Sequence, residues 1–170
     1  MMDQFLFVDS FMANVIYAPH PFDDCEQLTV FLAGSIEMGA AQEWQKEFIK
    51  RFSDLTEITF LNPRRPDWDS SWGPYNPELY KQIHWEQKGI KEADLVVYFF
   101  DPETKSPVTL MELGQRLGGS SPRSIVVGCP DGYWRKSNVV ITCAMYDVDV
   151  FDSLNETVAA LAAKIRSYLP

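Results

Sequence analysis

Residues 94–119 read DLVVYFFDPETKSPVTLMELGQRLGG. Leu95 to Phe100 is an unbroken run of β-branched and aromatic residues, the pattern of a strand buried on both faces. Asp101-Pro102 ends it and a polar loop follows. A helix is expected to start near Pro107 and to run to the Gly118-Gly119 stop. Strand, loop and helix make half of a βαβ unit. In open α/β sheets the ligand crevice lies outside the carboxyl ends of the strands. Glu112, expected in the first turn of this helix, would stand beside that crevice. It carries two readings. Thr109-x-x-Glu112 fits a capping box, and an acid in a first turn suits the helix dipole. Against that, its neighbours Val108, Leu110, Met111 and Leu113 would frame the carboxylate with apolar groups, and the preceding loop is long enough to shape a pocket. The two roles exclude each other only in part.

The rest of the chain bounds what such a crevice could serve. The 170 residues suffice for one domain with a real core, and 46% of them are hydrophobic. A net charge of -9 argues against nucleic acid and anionic lipid as partners. A neutral nucleoside stays open. Three cysteines, Cys25, Cys129 and Cys143, match no metal spacing. They read as core thiols suited to a reducing cytoplasm. The apolar N-terminus is broken by Asp3 and Asp9 and lacks a basic region, so no signal peptide is expected, and no run reaches the length of a membrane span.

Residues 1–27 are expected to form an extra edge strand, at Asn14 to Ala18, or a contact arm. Residues 28–170 are expected to form the working domain. Leu28 to Ala33, LTVFLA, is its first strand, with Gly34-Ser35 at the carboxyl end. That turn is either a tight turn needing small residues or a place where backbone amides meet a ligand oxygen. A helix follows through Phe52, with Trp44, Phe48, Ile49 and Phe52 on one face. No GxGxxG or Walker loop is present. Glu57 to Asn62 is the second strand. It runs into a long loop, Pro63-Arg64-Arg65-Pro66-Asp67-Trp68-Asp69 and on to Tyr75, in which aromatic rings beside carboxylates suit a planar heterocycle. Pro77 to Ala93 is a helix carrying His84 and Glu86, with Glu86 facing either solvent or pocket. Ser124 to Cys129 is the fourth strand, and Val139 to Cys143, VVITC, a fifth strand or an irregular extended piece. The last helix spans Leu154 to Leu169, capped by Asp152 or Ser153. Alternating strands and helices imply a doubly wound parallel sheet, flavodoxin-like, with five strands in the order 2-1-3-4-5. The switch point would then bring Gly34-Ser35, the second-strand loop and Glu112 together.

Four pieces in order at βα spacings, TVFLAGSIE, FLNPRRPDWD, GIKEADLVVYFFD and LMELG, resemble the nucleoside 2-deoxyribosyltransferase family, over about Leu28 to Asp147. The resemblance implies that Glu112 is the nucleophile. It would attack C1′ of a 2′-deoxynucleoside, release the base and pass the sugar to a second free nucleobase, without any cofactor or metal. It implies acids near the base, with Asp67 and Asp69 matching the family-like loop and Glu86 falling where some members carry aspartate. It also implies a homo-oligomer, dimer or hexamer, in which Asn138 reaches a neighbouring subunit's site. Phe31, Gly34, Ser35, Trp68 and Ser106 complete the expected substrate pocket. Two positions depart from the pattern: Phe31 stands where tyrosine is frequent, and Ser106 where some members have aspartate. The related 2′-deoxynucleoside 5′-monophosphate N-glycosidases share fold and nucleophile. Glu37, close to Ser35, disfavours a phosphate dianion there. A non-catalytic nucleotide-sensing module on the same fold is the remaining alternative.

Overall fold

The computed structural model describes residues 14–36, 42–119 and 124–169. Residues 1–13, 37–41, 120–123 and 170 lie outside them, and with them Asp3, Asp9 and Glu37. Six parallel strands form one sheet: β1 (Asn14–Tyr17), β2 (Leu28–Gly34), β3 (Ile58–Asn62), β4 (Leu95–Phe99), β5 (Ile125–Gly128) and β6 (Val150–Phe151), in the order β1-β3-β2-β4-β5-β6. Among the described residues five helices join them: α1 (Trp44–Lys50), α2 (Pro77–Glu92), α3 (Pro107–Leu117), α4 (Lys136–Ala144) and α5 (Leu154–Tyr168). The doubly wound order is as expected, with Asn14–Tyr17 added as a sixth strand on the β3 edge.

Alternation along the strands divides the core into two layers. Val30 and Leu32 point to the side of Trp44, Phe48 and Leu161, from α1 and α5. Phe31 and Ala33 point to the side of Trp85, Leu113 and Val139, from α2, α3 and α4. The central strands are buried on both faces except at Leu28, the first residue of β2, which is why they read as continuous apolar runs. The chain reverses its winding direction between β2 and β4. At this point β2 must run close to β4: a Cβ on Gly34 would stand 2.5 Å from the Phe99 carbonyl and 2.6 Å from the Trp44 ring. Gly89 does the same for α2, since a Cβ there would meet the Phe31 ring at 2.3 Å. Glycine at these two places sets how near the elements around the switch point can come.

Two expectations are corrected. VVITC is not a strand but the middle of α4; the sheet's last strand is Val150–Phe151. Val139 and Cys143, four apart, are buried, while Ile141 between them is 65% exposed. That is helical spacing, and a short β-branched run cannot be told from a helix by composition. Glu112 is also not in a first turn and not in a capping box. The helix begins at Pro107, so Glu112 is its sixth residue. The N-cap is Ser106, held in the left-handed region at φ 45° and ψ 53° with no capping hydrogen bond from its side chain. Thr109 lies inside the helix, and the capping reading of Glu112 falls with it.

Candidate active site

The long loop after β3 begins at Pro63, where the strand leaves the sheet. Asn62 turns it by accepting the Arg64 amide on Oδ1 at 3.0 Å. Helix α2 follows, capped by Asn76 through the amides of Glu78 and Leu79, with proline at its first position. Helix α3 is held to the sheet beneath it by Tyr98, whose hydroxyl donates to the Glu112 carbonyl at 3.1 Å. Between these elements lies a cavity of about 650 Å³ at the carboxyl ends of β2, β3 and β4. Its walls come from Phe31 and Gly34 on β2, Pro63 to Pro66 and Trp68 on the loop, Gln82, Ile83 and Glu86 on α2, and Ser106 to Thr109, Met111 and Glu112 on α3.

Two carboxyl groups line this cavity among the described residues. Glu112 is 6% exposed. Burial pushes its carboxyl up to about 8, and the charge of Glu86 pushes in the same direction. Burial likewise pushes Glu86 up to about 7, while a hydrogen bond from Gln82 pulls it back. Around neutral pH the cavity therefore favours the protonated form of both acids, Glu112 more than Glu86. One carboxylate and one carboxylic acid at once is the state that nucleophilic attack with acid-assisted departure requires.

Around the acids, polar groups are tied into the frame. Ser35, Thr104 and Ser106 form a buried hydroxyl triangle: Ser35 to Ser106 2.5 Å, Thr104 to Ser35 2.7 Å and Thr104 to Ser106 2.8 Å. The Asp101 amide donates to Ser35 Oγ at 2.9 Å. The left-handed turn at Ser106 aims its hydroxyl into this triangle and starts α3 at the angle that carries Glu112 over the cavity. Ser35 is thus committed to the frame, while Gly34 and Ser106 reach the cavity wall. Phe31 forms the floor beneath the acids, backed by Trp85 at 5.6 Å between ring centroids. Its ring offers no hydroxyl to Glu112.

The loop acids stand elsewhere. Trp68 lines the cavity; Asp67 and Asp69 do not. Asp67 is exposed and accepts Arg65 at 2.7 and 2.5 Å, which holds its carboxyl below the usual range. Asp69 is exposed and held low by hydrogen bonds from Ser71. Asn138 is exposed on α4, outside the cavity of its own chain. Sequence reasoning passed over Gln82, which is 2% exposed and donates to Glu86. Its signal was available: on a helix, a residue four before an acid shares its face. Among the described residues no group of three or more histidines, cysteines or acids could hold a metal, and no helix is long and apolar enough to cross a membrane.

With this geometry in view, the match to a known family has a structural counterpart. Residues 27–133 match the family model described as nucleoside 2-deoxyribosyltransferase like. The chain belongs to that family. The matched span contains β2 through β5 and every residue named on the cavity wall. No curated protein matches the chain.

Proposed function

We propose that the protein transfers 2-deoxyribose between nucleobases through a covalent intermediate on Glu112. The observation that carries this is the pair Glu112 and Glu86, facing one cavity whose burial raises both. In the productive state Glu112 is ionised and Glu86 carries the proton, the reverse of the order that burial sets in the free protein, so substrate binding has to move the proton from Glu112 to Glu86. The Glu112 carboxylate attacks C1′ of a 2′-deoxynucleoside, the C1′–N bond breaks, and Glu86 protonates the departing base. A second base then attacks C1′ from the side the first one left, so the configuration is retained. Phe31 and Trp68 give apolar surface against the base and sugar, and no cofactor enters any step. Glu86 suits the acid role better than Asp67 or Asp69, because those two are exposed and held ionised.

A second copy of the chain is part of this reading. Helix α4 turns Ile141 and Met145 outward, 65% and 77% exposed, and Asn138 lies on the same helix. An apolar contact through these residues would bring Asn138 of a neighbour towards the sugar. Buried Cys129 and Cys143 thiols fit a cytoplasmic protein. The test of the activity is incubation with 2′-deoxyuridine and free adenine, followed by chromatography. Formation of 2′-deoxyadenosine is the expected result. Uracil release without exchange would assign a hydrolytic activity, as in the related 2′-deoxynucleoside 5′-monophosphate N-glycosidases. No release would leave a nucleotide-sensing module.

A further inference from the structure

Gln82 is buried in the wall between the loop after β3 and helix α2. Its Nε2 lies 2.8 Å from the Pro63 carbonyl and 2.8 Å from Glu86 Oε1. A carbonyl only accepts, so the nitrogen of the amide must be the atom that faces Pro63. Both hydrogens of Nε2 are then used, one on each partner. The amide oxygen is buried with no hydrogen-bond partner. A half-satisfied buried amide is an expensive way to fill space. What this amide does achieve is specific: it joins the first residue of the loop wall to one oxygen of one acid.

We propose that Gln82 is a positioning residue: it fixes which oxygen of Glu86 delivers the proton to the departing base and holds that acid at a set distance from the loop wall. The proposal rests on the reading of Glu86 as the proton donor. Oε1 accepts from Gln82, and a hydroxyl oxygen is a poor acceptor, so the acid proton resides on Oε2. In the first half-reaction the Oε2–H bond breaks and the proton goes to an acceptor atom of the base. The C1′–N electron pair stays with the base, and Glu112 closes a new C–O bond to C1′. The base leaves neutral, and the negative charge passes from Glu112 to Glu86. The hydrogen bond to Oε1 stabilises Glu86 as it takes up that charge, so Gln82 also makes it a stronger acid. The other charged side chains on the cavity wall are Glu112 from α3 and Arg64 and Arg65 from the loop. Arg65 is already engaged by Asp67 and Glu78. Arg64 donates to the Gln42 carbonyl at 3.0 Å, while Gln82 donates to Glu86.

The test compares pH–rate profiles of the wild type, Gln82→Met and Glu86→Gln on whichever 2′-deoxynucleoside exchanges best. Methionine keeps the length of the side chain and removes the donor. In Gln82→Met the alkaline limb is expected to move up by about one pH unit, the size of one lost charge-assisted hydrogen bond, and kcat to fall more than KM rises. A purely structural role would lower activity evenly across pH and leave the limb in place. If the limb stays put in Gln82→Met but disappears in Glu86→Gln, the inference fails and the reading of Glu86 stands. If the limb survives Glu86→Gln, that reading fails and the inference with it. Should Gln82→Met not fold, the wild type decides by infrared spectroscopy. The carboxyl C=O stretch lost in Glu86→Gln is expected at the low wavenumber of a carbonyl that accepts a hydrogen bond. A band at the position of a free carbonyl would overturn the proposal.

Discussion

The two sides of the sheet share their strands and differ in what they bury. Under α1 and α5, Val30, Leu32, Phe48, Phe60 and Leu161 close an apolar layer, and the buried acid at its rim, Asp101, is satisfied by the amides of Gln42 and Glu103. On the other side Phe31, Ala33 and Tyr98 meet α2 and α3, and there Gln82, Glu86 and Glu112 are set against apolar walls. The first layer does what a core does for stability. The second keeps two carboxyl groups where ionisation is costly, and the ion pairs among the described residues include neither of them. Groups held at such a cost are candidates for chemistry, and they put the proposed site on this side of the sheet.

The comparison breaks most sharply at Glu112. Glu112→Gln is expected to remove base exchange by several powers of ten while the fold persists. Stability should move the other way. The folded pKa is raised from 4.5 to about 8, so between those values the unfolded chain has released a proton that the folded chain retains. Stability of the wild type therefore falls as pH rises through that window, and levels off above it. The melting temperature of Glu112→Gln should gain on the wild type from pH 5 to pH 9, as measured by calorimetry on the same samples used for turnover. Glu86→Gln comes next. Loss of a general acid costs about 10²–10⁴ in rate, and the alkaline limb of the pH profile should vanish with it.

How far these roles could be read before the fold was known depends on what each residue's neighbours in sequence reveal. Leu95 to Phe99 and Leu28 to Gly34 are continuous apolar runs, and the doubly wound sheet follows from their alternation with helices. Helix α4 was misread because Val139 to Thr142 carry β-branched side chains. Only the burial of Val139 and Cys143 around an exposed Ile141 reveals a helical period. Glu112 was legible as a candidate, but its place in the helix was not. The start of α3 is set by Pro107 and by the left-handed turn at Ser106, whose hydroxyl contacts nearby Thr104 and, from 71 residues away in the chain, Ser35. Asp67 and Asp69 stood out as acids in an aromatic loop. Nothing local in the sequence indicated that Arg65 would take one and Ser71 the other.

The apolar side offers the converse experiment. Phe48 packs against Trp44, Phe52 and Phe60. Phe48→Ala is expected to cost about 3–5 kcal/mol, with turnover per folded molecule unchanged. Chemical denaturation alongside active-site titration separates the two. The smallest effect is expected at Asp69, which is exposed outside the cavity. Asp69→Asn should change stability by less than about 0.5 kcal/mol and leave the alkaline limb in place. Loss of the limb in that variant would move the acid from α2 to the loop.

The central claim is that Glu112 carries the sugar. The most direct measurement is mass spectrometry of protein quenched with acid during turnover of a 2′-deoxynucleoside, followed by peptide mapping. A deoxyribosyl adduct on the peptide containing Glu112, absent from Glu112→Gln, is the predicted result. Turnover with no adduct, or an adduct mapped to another residue, would contradict the account.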